Sequence, residues 1–329
     1  MRPLGAGRRS LLVATAAGAA LPWLQAAEPA PFPRRPVRIV VPYSVGIGPD
    51  VVARSVAEAL SRQWGQTVWV DNKPGASGIV AFAEVRSTAP DGHTLFLADT
   101  ATLAVNPLLH AKLPYDPGRD LVPLSLMFRA TFLIWVGAPS RLHGIGDLLA
   151  AARRAPDRVG YGTLGNGHAS HVAIESFAHA AGVRLLHVPF KDAGALFAAV
   201  ASGEVDFTAF GMNSVAGLMA AGRMRPLAVA SARRLASHPD IPTLREAGGP
   251  PVDMHPWAAL VAVAGTPPAT LLQLQRDIVA ALGSDEVRKR AELAGFEITP
   301  STPQALRERI AADSALYAPL VSEGRVARL

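Results

Sequence analysis

The chain has 329 residues, half of them hydrophobic, with a net charge of +6 and no cysteine. That length allows two domains with sizeable cores, and the lack of cysteine excludes disulfides, thiolate metal sites, a cysteine nucleophile and a lipid anchor on cysteine. The positive balance is mild, since Arg2, Arg8 and Arg9 supply three of the charges, and no Lys/Arg run interleaved with aromatics points to nucleic acid.

Residues 1–27 read as a secretory signal peptide. Arg2, Arg8 and Arg9 precede an apolar run over 11–24, and small Ala26 and Ala27 follow. The run is too short and too rich in Ala and Gly for a good transmembrane span. Arg8-Arg9-Ser10 also resembles a twin-arginine signal. Export to the periplasm, by the Sec or the twin-arginine route, is the expectation.

A β-branched run at 37–42 predicts a strand, the segment 43–50 a Gly-rich loop, and 51–60 a helix. A strand, a Gly-rich turn and a helix start together present free backbone N–H groups at the carboxyl edge of a sheet, where α/β proteins hold small anions. A strand at 67–70, a second Gly-rich loop at 72–78, a helix at 79–87 and a strand at 94–98 ending in Asp99-Thr100 follow. This alternation predicts a parallel sheet whose loops gather at one edge.

After a turn-rich connector at 113–117, extended apolar runs occupy 121–127 and 132–136. A new unit then alternates helix (146–154), strand (158–162), a third Gly-rich loop (163–170) and helix (171–181). Strands at 185–189, 205–210 and 225–230 alternate with helices at 193–201 and 215–221. An apolar strand at 258–263 and helices at 268–282, 285–294 and 303–320 close the chain, and these are expected to return onto the first unit.

Enzyme motifs are weak. Gly46-x-Gly48 lacks the third glycine of a dinucleotide fingerprint, and neither a P-loop nor a Gly-x-Ser-x-Gly elbow occurs. His168, His171 and Glu175 have a spacing that could suit a metal, although His168 falls in the loop, off the helix face. Ser170 beside His171 could suggest a nucleophile, but adjacent helical residues point apart and no third acid orients them. Loops rich in Gly, Ser, Thr and Asn serve binding more directly. They let backbone approach a ligand and offer neutral donors to a carboxylate.

Several segments, in order and spacing, resemble one family. They include Asn72-Lys73-Pro74-Gly75-Ala76-Ser77-Gly78, Asn106-Pro107, Gly165-Asn166-Gly167 with Ser170-His171, Gly203-Glu204-Val205-Asp206 and Gly265-Thr266-Pro267. The resemblance covers roughly 33–324 and is to the Bug-type extracytoplasmic solute receptors, the binding components of tripartite tricarboxylate transporters. It implies an α/β protein with the two-lobed periplasmic-binding-protein (Venus flytrap) fold. Each lobe would be a mainly parallel sheet flanked by helices, the lobes joined by crossing strands near Phe132 and Trp257. Residues 33–132 plus 257–329 would form lobe 1 and 133–256 lobe 2.

The resemblance further implies a non-enzymatic receptor, without metal or cofactor, that captures a small carboxylated metabolite, an organic, aromatic or amino acid, between its lobes and delivers it to membrane permease subunits. A ligand sensor for a membrane histidine kinase is the alternative, and a metal-dependent periplasmic enzyme a third reading. A monomer is expected, because the lobes must move. Ligand contacts carry over to Tyr43, Ser44, Gly46, Ile47, Gly48 and Asp50 in the first loop, and to Thr163, Asn166, Gly167, Ser170 and His171 in the third. Ala76, Ser77, Thr100, Asp206 and Asn213 rank second. Asp50 reads better as an acid that orders its loop than as a contact to an anion, and ligand choice could turn on Asp50, Asp99, Asp192 and Asp206. The first loop departs from the family pattern: Val45 and Ile47 add apolar bulk, and Pro49 removes a donor. That departure fits a partly apolar or aromatic acid, or a receptor without a transport duty.

Overall fold

The structure, a computed structural model, describes residues 32–329; the signal-peptide reading of 1–27 lies outside them. The β-branched run forms β1 (Val37–Val41), whose Ile39, Val40 and Val41 are buried completely. It leads through the first loop into α1 (Gly48–Trp64), with Pro49 in the first turn, where its missing N–H costs nothing. Gly65 ends the helix in the left-handed conformation that glycine adopts without strain. β2 (Val68–Asn72), α2 (Ile79–Arg86) and β3 (Thr94–Asp99) follow. A π-helical turn (Ala101–Val105) runs into α3 (Asn106–Leu109), and the one-turn α4 (Pro117–Asp120) precedes β4 (Leu121–Ala130).

Beyond β5 (Phe132–Gly137) come α5 (Ile145–Arg154), β6 (Gly160–Thr163), α6 (Ala169–Ala180), β7 (Leu186–Pro189) and α7 (Ala193–Ser202). Next are β8 (Phe207–Gly211), α8 (Met212–Ala220) and β9 (Met224–Val229). β10 (Trp257–Val263), α9 (Pro268–Leu282), α10 (Asp285–Leu293), β11 (Phe296–Ile298) and α11 (Pro303–Ser322) complete the chain.

Two sheets result, one six-stranded in the order β11-β4-β10-β3-β1-β2 and one five-stranded in the order β7-β6-β8-β5-β9. Both are mixed rather than mainly parallel. β1 pairs in parallel with β2 and β3, but β10 runs antiparallel to β3 and β4, and β11 antiparallel to β4. In the second sheet β6 is parallel to β7 and β8, while β5 is antiparallel to β8 and β9. The cause is the crossing. β4 and β10 belong to no βαβ unit, so the right-handed crossover that enforces parallel order does not act on them. The returning helices cover the first sheet: α9 and α10 pack on α1, and α11 packs on β4. Trp257 Nε1 donates to the buried Asp313 of α11 at 2.6 Å, and Trp64 Nε1 to the buried Asp277 of α9 at 2.8 Å.

The chain crosses between the sheets twice. β4 passes through Thr131 directly into β5, and the segment before β10 runs back beside it. The crossings bond to one another: Ala130 N to Pro256 O at 2.8 Å, Phe132 N to Met254 O at 3.1 Å and Met254 N to Ala230 O at 3.0 Å. Away from this hinge, α6 packs on α11 through a small apolar cluster joining Val172 to Val105, Leu109, Leu320, Val321 and Val326.

Candidate functional site

The first loop is held in shape from behind by Asp50. This carboxylate is 1% exposed and accepts from Gly46 N at 2.8 Å, Arg54 Nε at 3.0 Å and Asn72 Nδ2 at 2.7 Å. Asn72 Nδ2 also donates to Tyr43 O at 3.0 Å, and Arg54 donates to Asn72 Oδ1 at 2.7 Å. Burial pushes the Asp50 carboxyl up, but the bonds from Arg54, Gly46 and Asn72 outweigh it and hold the pKa below the ordinary value. Gly46 needs its glycine, at φ +84°. The front of the loop stays open. Val45 is 69% and Ile47 44% exposed. Ile47 is the N-cap of α1 and supplies no side-chain acceptor, so the first N–H groups of a 17-residue helix are uncapped.

The second loop and the end of β3 meet the first loop at Asp99. Tyr43 Oη donates to Asp99 Oδ2, while Thr102 N and Thr102 Oγ1 donate to Asp99 Oδ1 at 2.8 and 2.7 Å. Burial, and then the Asp99 charge, push the Tyr43 phenol well above its ordinary pKa, so it remains a proton donor to the carboxylate. A Cβ on Gly78 would stand 2.6 Å from Thr102 Oγ1, which is why the second loop can lie so close. Ala76 and Ser77 both hold positive φ (45° and 48°), a strained conformation for residues with side chains. Ser77 O accepts from Asn106 Nδ2 at 2.9 Å.

The third loop leaves β6 at Thr163 and enters α6 at Ala169. Thr163 Oγ1 bonds His187 Nε2 at 2.6 Å. Gly167 N donates to His171 Nδ1 at 3.1 Å, and Ser170 N to His168 Nδ1 at 3.1 Å, which makes His168 the N-cap of α6. The His171 and His187 rings stack at 3.8 Å and 9°. Burial pulls His171 down to about 3, helped by His187 and His168, and burial pulls His187 down to about 4. Burial also pulls His168 down to about 4, against the Asp99 carboxylate, which lies near enough for its charge to act on the ring. Asp99 from the first sheet and His168 from the second therefore face one region. Phe210 stacks on His168 there.

The structure gathers the sequence-predicted residues unevenly. Tyr43, Ser44, Gly46, Ile47 and Gly48 line one loop, with Ala76 and Ser77 beside it. Asp50 belongs to the loop's buried support. Thr163, Ser170 and His171 are buried, their polar atoms engaged within the loop or, for Thr163 Oγ1, with His187 of β7 as well, except His171 Nε2, which is without a partner among the described residues. Asn166 Nδ2 donates to Ala327 O at 2.8 Å, and Gly167 lies so close to Leu109 that a Cβ would stand 2.4 Å from its Cδ1. These two clamp the loop to the C-terminal tail and α3.

Thr100 is a correction in role: its hydroxyl accepts from Trp257 N at 3.2 Å inside the hinge. Asn213, on the first turn of α8, donates to Leu293 O across the sheets. Asp206 is misplaced. It precedes β8 and accepts from Gly160 N at 2.7 Å, at the amino edge of the second sheet, opposite the edge that carries Thr163. Sequence reasoning missed Thr102, His187 and the support given by Asn72 and Arg54. Only the turn-favouring position of Thr102 just after a strand could have signalled the first of these.

The His168/His171/Glu175 spacing does not build a metal centre. Glu175 accepts from Tyr161 Oη at 2.6 Å and lies 3.5 Å from Arg325, while His171 and His168 use Nδ1 on their own loop. Among the described residues no three His, Asp or Glu side chains group as a metal would require.

The model of the tripartite tricarboxylate transporter family receptors matches residues 52–324. Protein BugT of Bordetella pertussis is 31% identical over 293 residues, covering 89% of this chain and 90% of BugT. Among solved structures, R. palustris Rpa4515 with adipate is 30% identical at a TM-score of 0.81, covering 91% of this chain and 100% of that one. MatC from Rhodopseudomonas palustris with bound malate is 26% identical at a TM-score of 0.77, covering 88% and 99%. The chain belongs to the tripartite tricarboxylate transporter receptor family, the Bug-type solute-binding proteins.

Proposed function

We propose that this protein captures a small carboxylated metabolite in the periplasm and hands it to the membrane permease of a tripartite transporter. The ligand would sit between the two lobes, 33–132 with 257–329 as the first and 133–256 as the second. The observation that carries the reading is the uncapped start of α1. No side chain caps this helix start, and Asp50 ties the loop before it through Gly46 N. A helix start of this kind attracts a carboxylate through its donors and its dipole. Related receptors with adipate and malate support the ligand class.

Tyr43, Ser44, Gly46, Ile47 and Gly48 form the first-lobe wall, with Ala76 and Ser77 at its edge. In the second lobe the backbone of 164–168 and the His168 ring are better placed than the buried hydroxyls of Thr163 and Ser170. Closure would turn about the 130–132 and 254–256 crossings. The protein needs no catalytic group for this role.

The test is a thermal-shift screen of the protein from Glu28 onward against mono- and dicarboxylates, aromatic acids and amino acids. A ligand that binds only the folded state raises the melting temperature by mass action. A shift with one acid class supports the receptor. No shift with any acid, and one with a divalent metal, would overturn it.

A further inference from the structure

The third loop and α3 stand at the carboxyl edges of the two sheets, the loop after β6 and α3 after the turn that follows β3. One short segment, 323–329, holds both as it leaves α11. Gly324, at φ +73°, turns the chain back, and Arg325 N and Val326 N both donate to Leu320 O, at 2.9 and 3.0 Å. Ala327 O then accepts from Asn166 Nδ2 of the third loop at 2.8 Å. Two residues on, Leu329 N donates to Leu109 O of α3 at 2.8 Å, and Leu329 O accepts from Ala111 N at 3.2 Å. A span of three residues thus bonds an edge element of each sheet.

The ties beneath this span are buried. Val326 is fully covered in the cluster that joins Val172 of α6 to Val105 and Leu109. Arg325 lies 3.5 Å from Glu175 of α6 and donates to Val183 O, just past that helix, at 3.1 Å. Glu175 is almost fully buried, and its other donor is Tyr161 Oη. Parting the sheets with the segment still on α11 would leave that carboxylate with Tyr161 alone, a costly state for a buried charge. The exposed His179–Glu323 pair adds little. On the far side, Asn213 of α8 reaches Leu293 O by one hydrogen bond. The weight of closure therefore falls on 323–329.

We propose that segment 323–329 is a latch that holds the cleft closed in the unliganded protein, so that a ligand enters only when the segment lets go of the third loop and α6. The proposal rests on the two-lobed receptor reading and adds the regulation of its cleft.

The experiment needs no ligand. The chain has no cysteine, so nitroxides can be placed at Leu186→Cys on β7 and Leu272→Cys on α9, both exposed and remote from the latch. Double electron–electron resonance is expected to give one dominant distance in the labelled protein. In the same protein ending at Gly324 a second distance should gain at least about tenfold in population relative to the first, the weight of one charge-assisted contact. A shortened protein that folds and keeps the single distance would overturn the latch, as would a full protein that already populates both distances equally. If the shortened protein does not fold, Asn166→Ala combined with Arg325→Gln removes both polar ties and leaves Val326 in place, and an unshifted distance there overturns the proposal equally. The thermal-shift screen is independent of these distances, so failure of the latch leaves the receptor reading standing, and failure of the screen leaves the distances to be read on their own.

Discussion

The imidazoles of His171 and His187 lie face to face, 3.8 Å apart, and each holds one end of the third loop. His187 Nε2 bonds Thr163 at the start, and His171 Nδ1 accepts from Gly167 N near the end. Only a neutral ring can accept that N–H, and two charged rings could not stack. The loop is therefore set by a neutral pair. The charged and polar groups around it are His168, Tyr161, and Glu175 with Arg325.

Acid should loosen this arrangement. Burial first, and then the neighbouring histidines, lower the folded pKa of His171 to about 3, and burial lowers that of His187 to about 4. Both lie below the ordinary value near 6.5. The unfolded chain then binds protons that the folded one refuses, so stability is full above about pH 6.5 and declines as the pH falls to about 3. Melting temperature against pH should show this fall. In His171→Asn, whose Oδ1 can still accept from Gly167, the acid slope should be shallower. An unchanged slope would argue against the pair as its source.

Asp50 and Arg54 should not be equivalent. Asp50→Ala leaves Gly46 N and Asn72 Nδ2 without their buried acceptor and removes the partner of Arg54, and is expected to cost about 3 kcal/mol. Arg54 is 42% exposed, and Arg54→Ala should cost about 1 kcal/mol or less. Denaturant midpoints of the two variants give the comparison.

The clasp between α6 and the C-terminal segment depends on Arg325. Its guanidinium reaches Glu175 at 3.5 Å and Val183 O at 3.1 Å, and its neighbour Val326 is fully buried. Arg325→Ala leaves a buried carboxylate with only Tyr161 as a donor, so a loss of about 2–4 kcal/mol is expected. Small-angle scattering should also report a larger radius of gyration, since this contact joins the lobes away from the hinge.

Gly167→Ala tests the third loop sterically. Its φ is +74°, and a Cβ would meet Leu109 Cδ1 at 2.4 Å. Strain of about 1–2 kcal/mol and a displaced loop should weaken ligand binding more than they lower the melting temperature.

The alternating pattern of β-branched runs and helical stretches was sufficient to read the α/β class, because strand and helix periods differ plainly at 37–41 and 51–60. The strand directions were not legible. β4 and β10 look like any apolar run, and only their pairing reveals an antiparallel crossing. The short β11 and the π-turn after Thr100 carry no periodic signal, since a few residues are too few to show one. In the candidate site, glycines marked the loops because left-handed backbone requires them at Gly46 and Gly167. What the side chains do was hidden. A threonine that faces a ligand and one that bonds His187 look alike in sequence, and Asp206 could be assigned an edge only once β6 and β8 were placed.

The central claim is that the uncapped start of α1 holds the ligand carboxylate, and Ile47→Asp tests it most directly. Aspartate at this N-cap would bond the free N–H groups itself, adding about 1 kcal/mol to the stability of the unliganded protein. The same carboxylate would occupy the anion position. Titration of the acid found in the thermal-shift screen should then show affinity lowered by about a hundredfold or more, a difference near 3 kcal/mol, in a protein that melts no lower than before. Affinity unchanged in Ile47→Asp would contradict the account.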